Sequence, residues 1–313
     1  MANDVASVGL TILDILGRPV EKIPDGGNVE FIDEIRLTVA GTAAGTVIDM
    51  AKLGLKCLAV GAVGEDEKGD FVLQTYQRHG IDTAGIKRVP GVPTSATILN
   101  VRPNGDRPAL HVRGASDHFT LDEKEFDAIG ACDFVHMGGN GLLAAFDGAP
   151  TARFLAAMKK RDCTITFDLI APNENTLATI ADSLPHVDYF MPSMEEAAFI
   201  SGHSEPKDIA SFFLDRGVTT CIFKWGDRGS YLASATAHQR IPAFKIDVVD
   251  TTGCGDAYCA GFVTGLKRSW EVERACQFAT ASSGLVATGL GSDAGIVDFD
   301  TTLQFMEKAE IIP

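Results

Sequence analysis

Asp250-Thr251-Thr252-Gly253-Cys254-Gly255-Asp256-Ala257-Tyr258-Cys259-Ala260-Gly261-Phe262 is a turn of small residues that runs straight into a helix. Tyr258, Phe262 and Leu266 recur at helical spacing, which predicts a helix over 257–267. The first N–H groups of a helix have no partner within it, and the helix dipole adds positive potential at the same place. The N–H groups of Gly253, Cys254 and Gly255 therefore form an anion trap. Asp256 is out of character there, because a carboxylate repels an anion. Its presence makes sense if it takes a proton from a nucleophile attacking that anion. The stretch then reads as phosphoryl transfer to a hydroxyl, with Asp256 as general base and the three small residues as an anion hole. A plainer reading stays open beside it, in which the glycines permit a tight turn and Asp256 stabilises a helix N-terminus by charge. An aspartic-protease loop does not fit. It needs Asp-Thr-Gly without the extra Thr, a second copy and an all-β chain.

Outward from this stretch, short apolar runs alternate with longer helical patterns. Strand-like runs occupy 6–10, 57–63, 134–137, 164–167, 189–191 and 221–224, and helical spacing marks 46–53, 71–79, 151–160 and 194–200. Repeated β-then-α order predicts a mainly parallel sheet with helices on both faces, and ligands at the carboxyl ends of its strands. Two stretches interrupt that order. From 29 to 39, Val29, Phe31, Ile35, Leu37 and Val39 hold odd positions while Glu30, Glu34, Arg36 and Thr38 hold even ones, the signature of a half-buried strand. Residues 96–101 and 109–112 read as extended runs around the turn Pro103-Asn104-Gly105-Asp106. Together they predict a small antiparallel β lid with an exposed face, formed by about 13–40 and 84–115, on a single domain spanning 1–313. Among the other glycine loops, Gly41-Thr42-Ala43-Ala44-Gly45 precedes a helix and suits either a close ligand approach or tight helix packing. Those at 61–66 and 289–291 lack the spacing or context of a dinucleotide fingerprint. The loop 136–141 follows a strand and puts Asn140 at a ligand-facing end.

With 313 residues, 45% of them hydrophobic, the chain can bury a large core. It contains no run of eighteen uncharged apolar residues and does not open on a basic region followed by an apolar one, so a cytoplasmic location is expected. Its seven cysteines form no Cys-x-x-Cys pair and suit reduced, mostly buried thiols. A net charge of -15, from 42 acidic against 27 basic residues, opposes nucleic acid and anionic membranes as partners. A polyanion such as ATP must then be held by local N–H groups, a metal and a few basic side chains.

The chain resembles the ribokinase-like (PfkB) carbohydrate kinase family over essentially its whole length. The strongest match is the opening stretch; 9–14, 40–54, 60–69 and 224–229 also agree, in the family's order. The resemblance implies a three-layer α/β/α sandwich whose lid often pairs two subunits, hence a homodimer. It implies ATP-dependent phosphorylation of a hydroxyl on a sugar or sugar acid, assisted by Mg²⁺, with Asp256 as base. Asp14 would bind substrate hydroxyls, with Gly41, Thr42, Gly45 and Asn140 lining the substrate. Lys224, Gly226, Gly229 and Ser193 would lie near the nucleotide, and Glu196 would reach Mg²⁺ through water. Asp250 and the carbonyl of Thr252 would stand beside a monovalent cation such as K⁺. Two departures stand out. Gly45 occupies a position where many members have Asn, and Ser193-Met194-Glu195-Glu196 replaces Asn-x-x-Glu. Arg113 resembles a residue that binds substrate in sugar-acid kinases of the family, and also suits a solvated lid edge. Cys254, at a helix N-terminus, suits either a low-pKa redox thiol or simple small-residue filling. A nucleoside kinase with Phe31 and Phe119 stacking on a base, and a non-catalytic regulatory relative, are the alternatives.

Overall fold

Val5–Gly9 and Cys57–Gly64 are buried along their whole length, as strands enclosed on both faces must be. The computed structural model describes residues 3–312. In chain order it runs β1 (Val5–Gly9), β2 (Ile12–Arg18), β3 (Glu34–Ala40), α1 (Ala44–Lys52), β4 (Cys57–Gly64), α2 (Glu67–Arg78), β5 (Asp82–Val89), β6 (Ala96–Asn100), β7 (Ala109–Val112), α3 (Glu123–Ile129), β8 (Phe134–Asn140) and α4 (Ala149–Lys159). It continues through β9 (Thr164–Leu169), α5 (Thr176–Ile180), β10 (Tyr189–Phe190), α6 (Met194–Ser201), α7 (Pro206–Leu214), β11 (Thr220–Lys224), β12 (Ser230–Ser234), β13 (His238–Ile241), α8 (Cys254–Lys267), α9 (Val272–Ala287) and α10 (Phe299–Lys308).

Nine strands form one sheet in the order β13-β12-β11-β10-β9-β8-β1-β4-β5, parallel from β11 to β5 and antiparallel at the β12–β13 edge. Alternate residues feed two cores. Ala6, Val8, Leu58, Val60 and Ala62 pack with Phe126, Phe154 and Phe213 of α3, α4 and α7. Val5, Cys57, Ala59 and Val63 pack on the other face with Val47 of α1, Tyr76 of α2 and Ala260 of α8. The three-layer α/β/α sandwich is thus the direct product of a period of two in the strands. No described helix is long and apolar enough to cross a membrane.

A second sheet has the order β3-β2-β6-β7, with antiparallel pairs at both ends and β2–β6 parallel between them. One row of it reads Thr38–Asp14–Thr97–His111; the neighbouring row on the opposite face reads Leu37–Ile15–Ile98–Leu110. Leu37, Ile98 and Leu110 of that second row are exposed. The polar row faces the body of the molecule, where Thr38 Oγ1 lies 3.2 Å from Ser292 Oγ.

The lid differs from the expected bounds in two places. β3 starts at Glu34 rather than at 29, because β2 ends before Pro19, which has no N–H to continue the ladder. The second lid segment starts at 96 rather than 84. Residues 84–89 belong to β5, which returns from α2 to pair in parallel with β4 at the edge of the large sheet.

Candidate active site

α8 begins at Cys254, and its N-cap Gly253 has φ +81°, the left-handed region that glycine enters without strain. A Cβ there would meet Ser292 Cα at 2.3 Å, so this turn is locked against the 290–293 loop. Asp256 sits in the first turn of α8, 9% exposed. The start of α1 presses against it, with an ideal Cβ on Gly45 falling 2.6 Å from Asp256 Oδ2. Gly45 therefore serves the site by leaving room for the carboxylate. Burial pushes the Asp256 carboxyl up to about 7, the neighbouring Asp168 adds to the rise, and Lys224 opposes it. A carboxyl that titrates near neutrality is matched to accepting a proton there. Asp14, on the inner row of the lid, is likewise raised, to about 6, chiefly by burial.

Lys224, at the end of β11, places Nζ 2.5 Å from Asp168 Oδ2, in a pair whose side chains are 14% and 2% exposed. The same Nζ would lie 3.2 Å from a Cβ on Gly255, which puts a cation beside the N-terminus of α8. Burial acts to lower the lysine pKa, but Asp168, with Cys259 and Glu196, raises it above its ordinary value. Sequence reasoning missed Asp168. Its only signal is an isolated acid at the carboxyl end of the apolar run Thr164–Leu169. Ser193 and Glu196 form a reciprocal cap on α6: Glu196 N–H donates to Ser193 Oγ at 3.1 Å, and Ser193 N–H donates to Glu196 Oε2 at 2.8 Å. Burial, then Asp168, raises the Glu196 pKa.

A cavity of about 430 Å³ opens on the same helix N-terminus. Gly226 and Gly229, on the turn after β11, form one wall together with Lys224. Phe244, Ile246 and Val248 form a second, and Thr280 and Gly284 of α9 a third. Cys254 and Gly255 form its floor. Burial pushes the Cys254 thiol up to about 12, the direction opposite to that of a reactive thiolate, which supports small-residue filling as the reason for a cysteine here. Cys254 is half-buried and the other six free cysteines are buried, as their apolar surroundings imply.

Asp250 is buried behind the turn. Its Oδ1 accepts from Thr252 N–H at 3.0 Å and from Thr252 Oγ1 at 2.8 Å, and its Oδ2 accepts from Gly291 N–H at 2.9 Å. Arg107, from the loop between β6 and β7, donates through Nη1 to Thr251 Oγ1 at 2.7 Å and to Thr252 Oγ1 at 3.2 Å. Sequence reasoning did not single out Arg107, because nothing local to the lid loop reports where its tip lands.

At the ends of β1 and β8, the carbonyl of Thr42 accepts from His136 Nε2 at 3.0 Å, which fixes the loop through Gly41 and Thr42 onto the large sheet. Asn140 donates through Nδ2 to Asp147 at 2.9 Å and to Thr151 at 3.2 Å. Thr42 Oγ1 and Asn140 Oδ1 are both buried without a partner. Arg113 pairs with Asp117 through two bonds, at 2.7 and 2.9 Å, at the base of the lid. The two candidate stacking rings are elsewhere. Phe119 is buried in the core against Phe146, and Phe31 is 92% exposed beyond the start of β3.

Residues 2–298 match the family described as pfkB family carbohydrate kinase. Among characterised proteins, the chain is similar to the 2-dehydro-3-deoxygluconokinase of Bacillus subtilis, 25% identical over 297 residues that cover 91% of this chain and 92% of that one. It is also similar to the ribokinase of Staphylococcus aureus, 26% identical over 309 residues, covering 95% and 97%. Among solved structures, a putative ribokinase II from E. coli in complex with ATP and Mg²⁺ superimposes with a TM-score of 0.84 at 22% identity, over 98% of this chain and all of the other.

Proposed function

The chain belongs to the pfkB family of carbohydrate kinases, and on that premise we propose that it transfers the γ-phosphoryl group of ATP to a hydroxyl of a sugar or sugar acid. One observation carries this reading above the rest. A carboxyl titrating near 7 sits in the first turn of a helix whose N-terminus forms the floor of a 430 Å³ cavity. The apolar walls of that cavity suit a purine, and Gly226 and Gly229 leave room for it. The phosphates then extend toward Lys224 and the N–H groups of Gly253, Cys254 and Gly255.

On the opposite side Asp14 accepts hydrogen bonds from substrate hydroxyls, under the lid. Thr42 and Asn140, each with a buried polar atom that lacks a partner, are read as further substrate contacts. Asp256 takes the proton of the attacking hydroxyl. The oxygen of that hydroxyl bonds to the γ-phosphorus as the bond to the β-phosphate oxygen breaks, and ADP leaves. The N–H groups at the start of α8 hold the charge on the moving phosphoryl group.

No three His, Cys, Asp or Glu side chains among the described residues converge on a metal site. Asp168 is already committed to Lys224. Mg²⁺ keeps most of its waters and takes phosphate oxygens, so it calls for few protein ligands. Glu196 would hold it through water, and the ion would neutralise phosphate charge.

The proposal is tested by screening the purified chain for ATP consumption against pentoses, hexoses, sugar acids and nucleosides. A sugar or sugar acid is expected to give acceptor-dependent ADP release that Asp256→Asn abolishes; consumption that the variant retains would refute the assignment.

A second subunit completes the proposal. Ile35, Leu37, Ile98, Leu110 and Val112 leave the outer face of the lid apolar and exposed, a patch suited to an identical patch on another copy. Sedimentation should give a dimer for the native chain and a monomer for Leu37→Glu. A native monomer would end this part of the reading.

A further inference from the structure

The family resemblance implies a monovalent cation beside Asp250 and Thr252, and the residues present do not fit one. An ionised carboxylate offers about four acceptor sites. Those of Asp250, whose side chain has no exposed surface, already meet four donors: Thr252 N–H, Thr252 Oγ1, Gly291 N–H and Arg107 Nη1, the last at 3.4 Å. The facing loop is occupied in the same way. Arg36 Nη1 donates to the Leu290 carbonyl at 2.6 Å and Arg36 Nη2 to Asp293 Oδ1 at 2.9 Å. Thr38 donates to Asp293 Oδ1 at 3.2 Å, and Lys52 Nζ donates to the Asp293 carbonyl. Asp250 Oδ1, the Leu290 carbonyl and two oxygens of Asp293 thus each meet a cationic side chain of the protein in place of a bare cation. Arg36, Thr38 and Arg107 all belong to the lid.

We propose that Arg107, reaching down from the β6–β7 loop onto the Asp250–Thr252 turn, supplies the positive charge that a monovalent cation would supply, so that the anion hole is assembled by lid closure and needs no potassium. Arg107 is a positioning residue. It bonds the side chains of Thr251, Thr252 and Asp250, one to three residues before Gly253, and so holds the turn whose N–H groups receive the phosphoryl charge. When the lid opens, those bonds break and the turn loses both its tether and its charge. Substrate binding under the lid then becomes the event that completes the anion hole, which disfavours phosphoryl transfer to water.

The inference rests on the kinase reading, and two measurements keep the two separable. The first is turnover of the native chain with its acceptor in potassium chloride and in tetramethylammonium chloride at equal ionic strength. The expected ratio is within about twofold, and activation by potassium of about tenfold or more, the scale of ordinary effector coupling, overturns the proposal. Arg107→Ala should lower kcat by roughly 10²-fold, the scale for misplacing a reacting group by about 1 Å, with ATP affinity changed less than about threefold. Arg107→Lys, which keeps the charge, should recover at least about a tenth of native kcat, the variant having lost only the forked geometry. Undiminished kcat in Arg107→Ala, or Arg107→Lys as poor as Ala, also overturns it. The second measurement needs no turnover: calorimetric ATP affinity of the native chain should be the same in the two salts, and tightening confined to potassium counts against the proposal even if no acceptor is ever phosphorylated.

Discussion

Replacing Asp256 by Asn should move activity and stability in opposite directions. The carboxyl is buried beside Asp168 and Asp14, and it titrates at about 7 when folded against an ordinary 3.8. The folded state therefore binds this proton more tightly than the unfolded chain. Its contribution to stability is complete below about pH 4, falls as pH rises through the window from 3.8 to about 7, and is gone above that. At about 1.36 kcal/mol per pH unit, going from pH 5 to pH 8 costs the native chain about 3 kcal/mol through this one group. Asn keeps the shape and cannot ionise. The stability difference between variant and native chain should accordingly shift in favour of the variant by about 3 kcal/mol between pH 5 and pH 8, read from urea midpoints at both values. Turnover of the variant should fall by at least about 10²-fold, the usual scale for losing a general base. In the native chain kcat/KM should climb with pH up to about 7 and level off above it. A variant that gains no relative stability at the higher pH, or keeps turnover within tenfold of native, would contradict both the burial argument and the role given to the side chain.

Gly45→Ala puts a methyl group 2.6 Å from Asp256 Oδ2; kcat should drop roughly 10- to 100-fold as the carboxylate is displaced, with the melting temperature nearly unchanged, and normal turnover would show that the carboxylate can shift without penalty. Lys224→Met strands the buried Asp168 and should destabilise by about 3–5 kcal/mol, most of it recovered when Asp168→Asn is added. Chemical denaturation of the single and double variants checks this, and a double variant no better than the single one argues against the pairing. Since the Cys254 thiol is pushed up to about 12 it stays protonated at neutral pH, so peroxide should inactivate the native chain and Cys254→Ala at equal rates. Protection in the variant would restore a redox role.

Much of the architecture was legible because it is local. Continuous short apolar runs at β1 and β4, and helical spacing in α1 and α8, report strands covered by helices on both faces, and that cover determines the layers. The turn proposed as the anion hole could be singled out for the same reason, since Gly253 to Asp256 are four consecutive residues. The lid was read less well at its edges. Its strand ends depend on partners in other segments: β3 can extend only as far as β2 supports it, and residues 84–89 pair with β4 rather than with the lid. The apolar alternation of 29–39 also carried no mark that Ile35 and Leu37 would face outward.

The sequence by itself determined that the chain is a mainly parallel α/β fold and that a turn of small residues bearing an acid opens one of its helices, because period and turn chemistry are properties of neighbouring residues. Only the tertiary structure decided that Gly45 makes room for that acid, that Asp168 and Lys224 flank it, and that Arg107 reaches from the lid onto the turn that precedes it. Those pairs lie 211, 88, 32 and 149 positions from Asp256, by difference of their residue numbers, and no local pattern encodes a meeting between side chains so far apart. The raised pKa is likewise a tertiary property, since burial and the field of distant charges exist only once the chain has closed around the carboxyl.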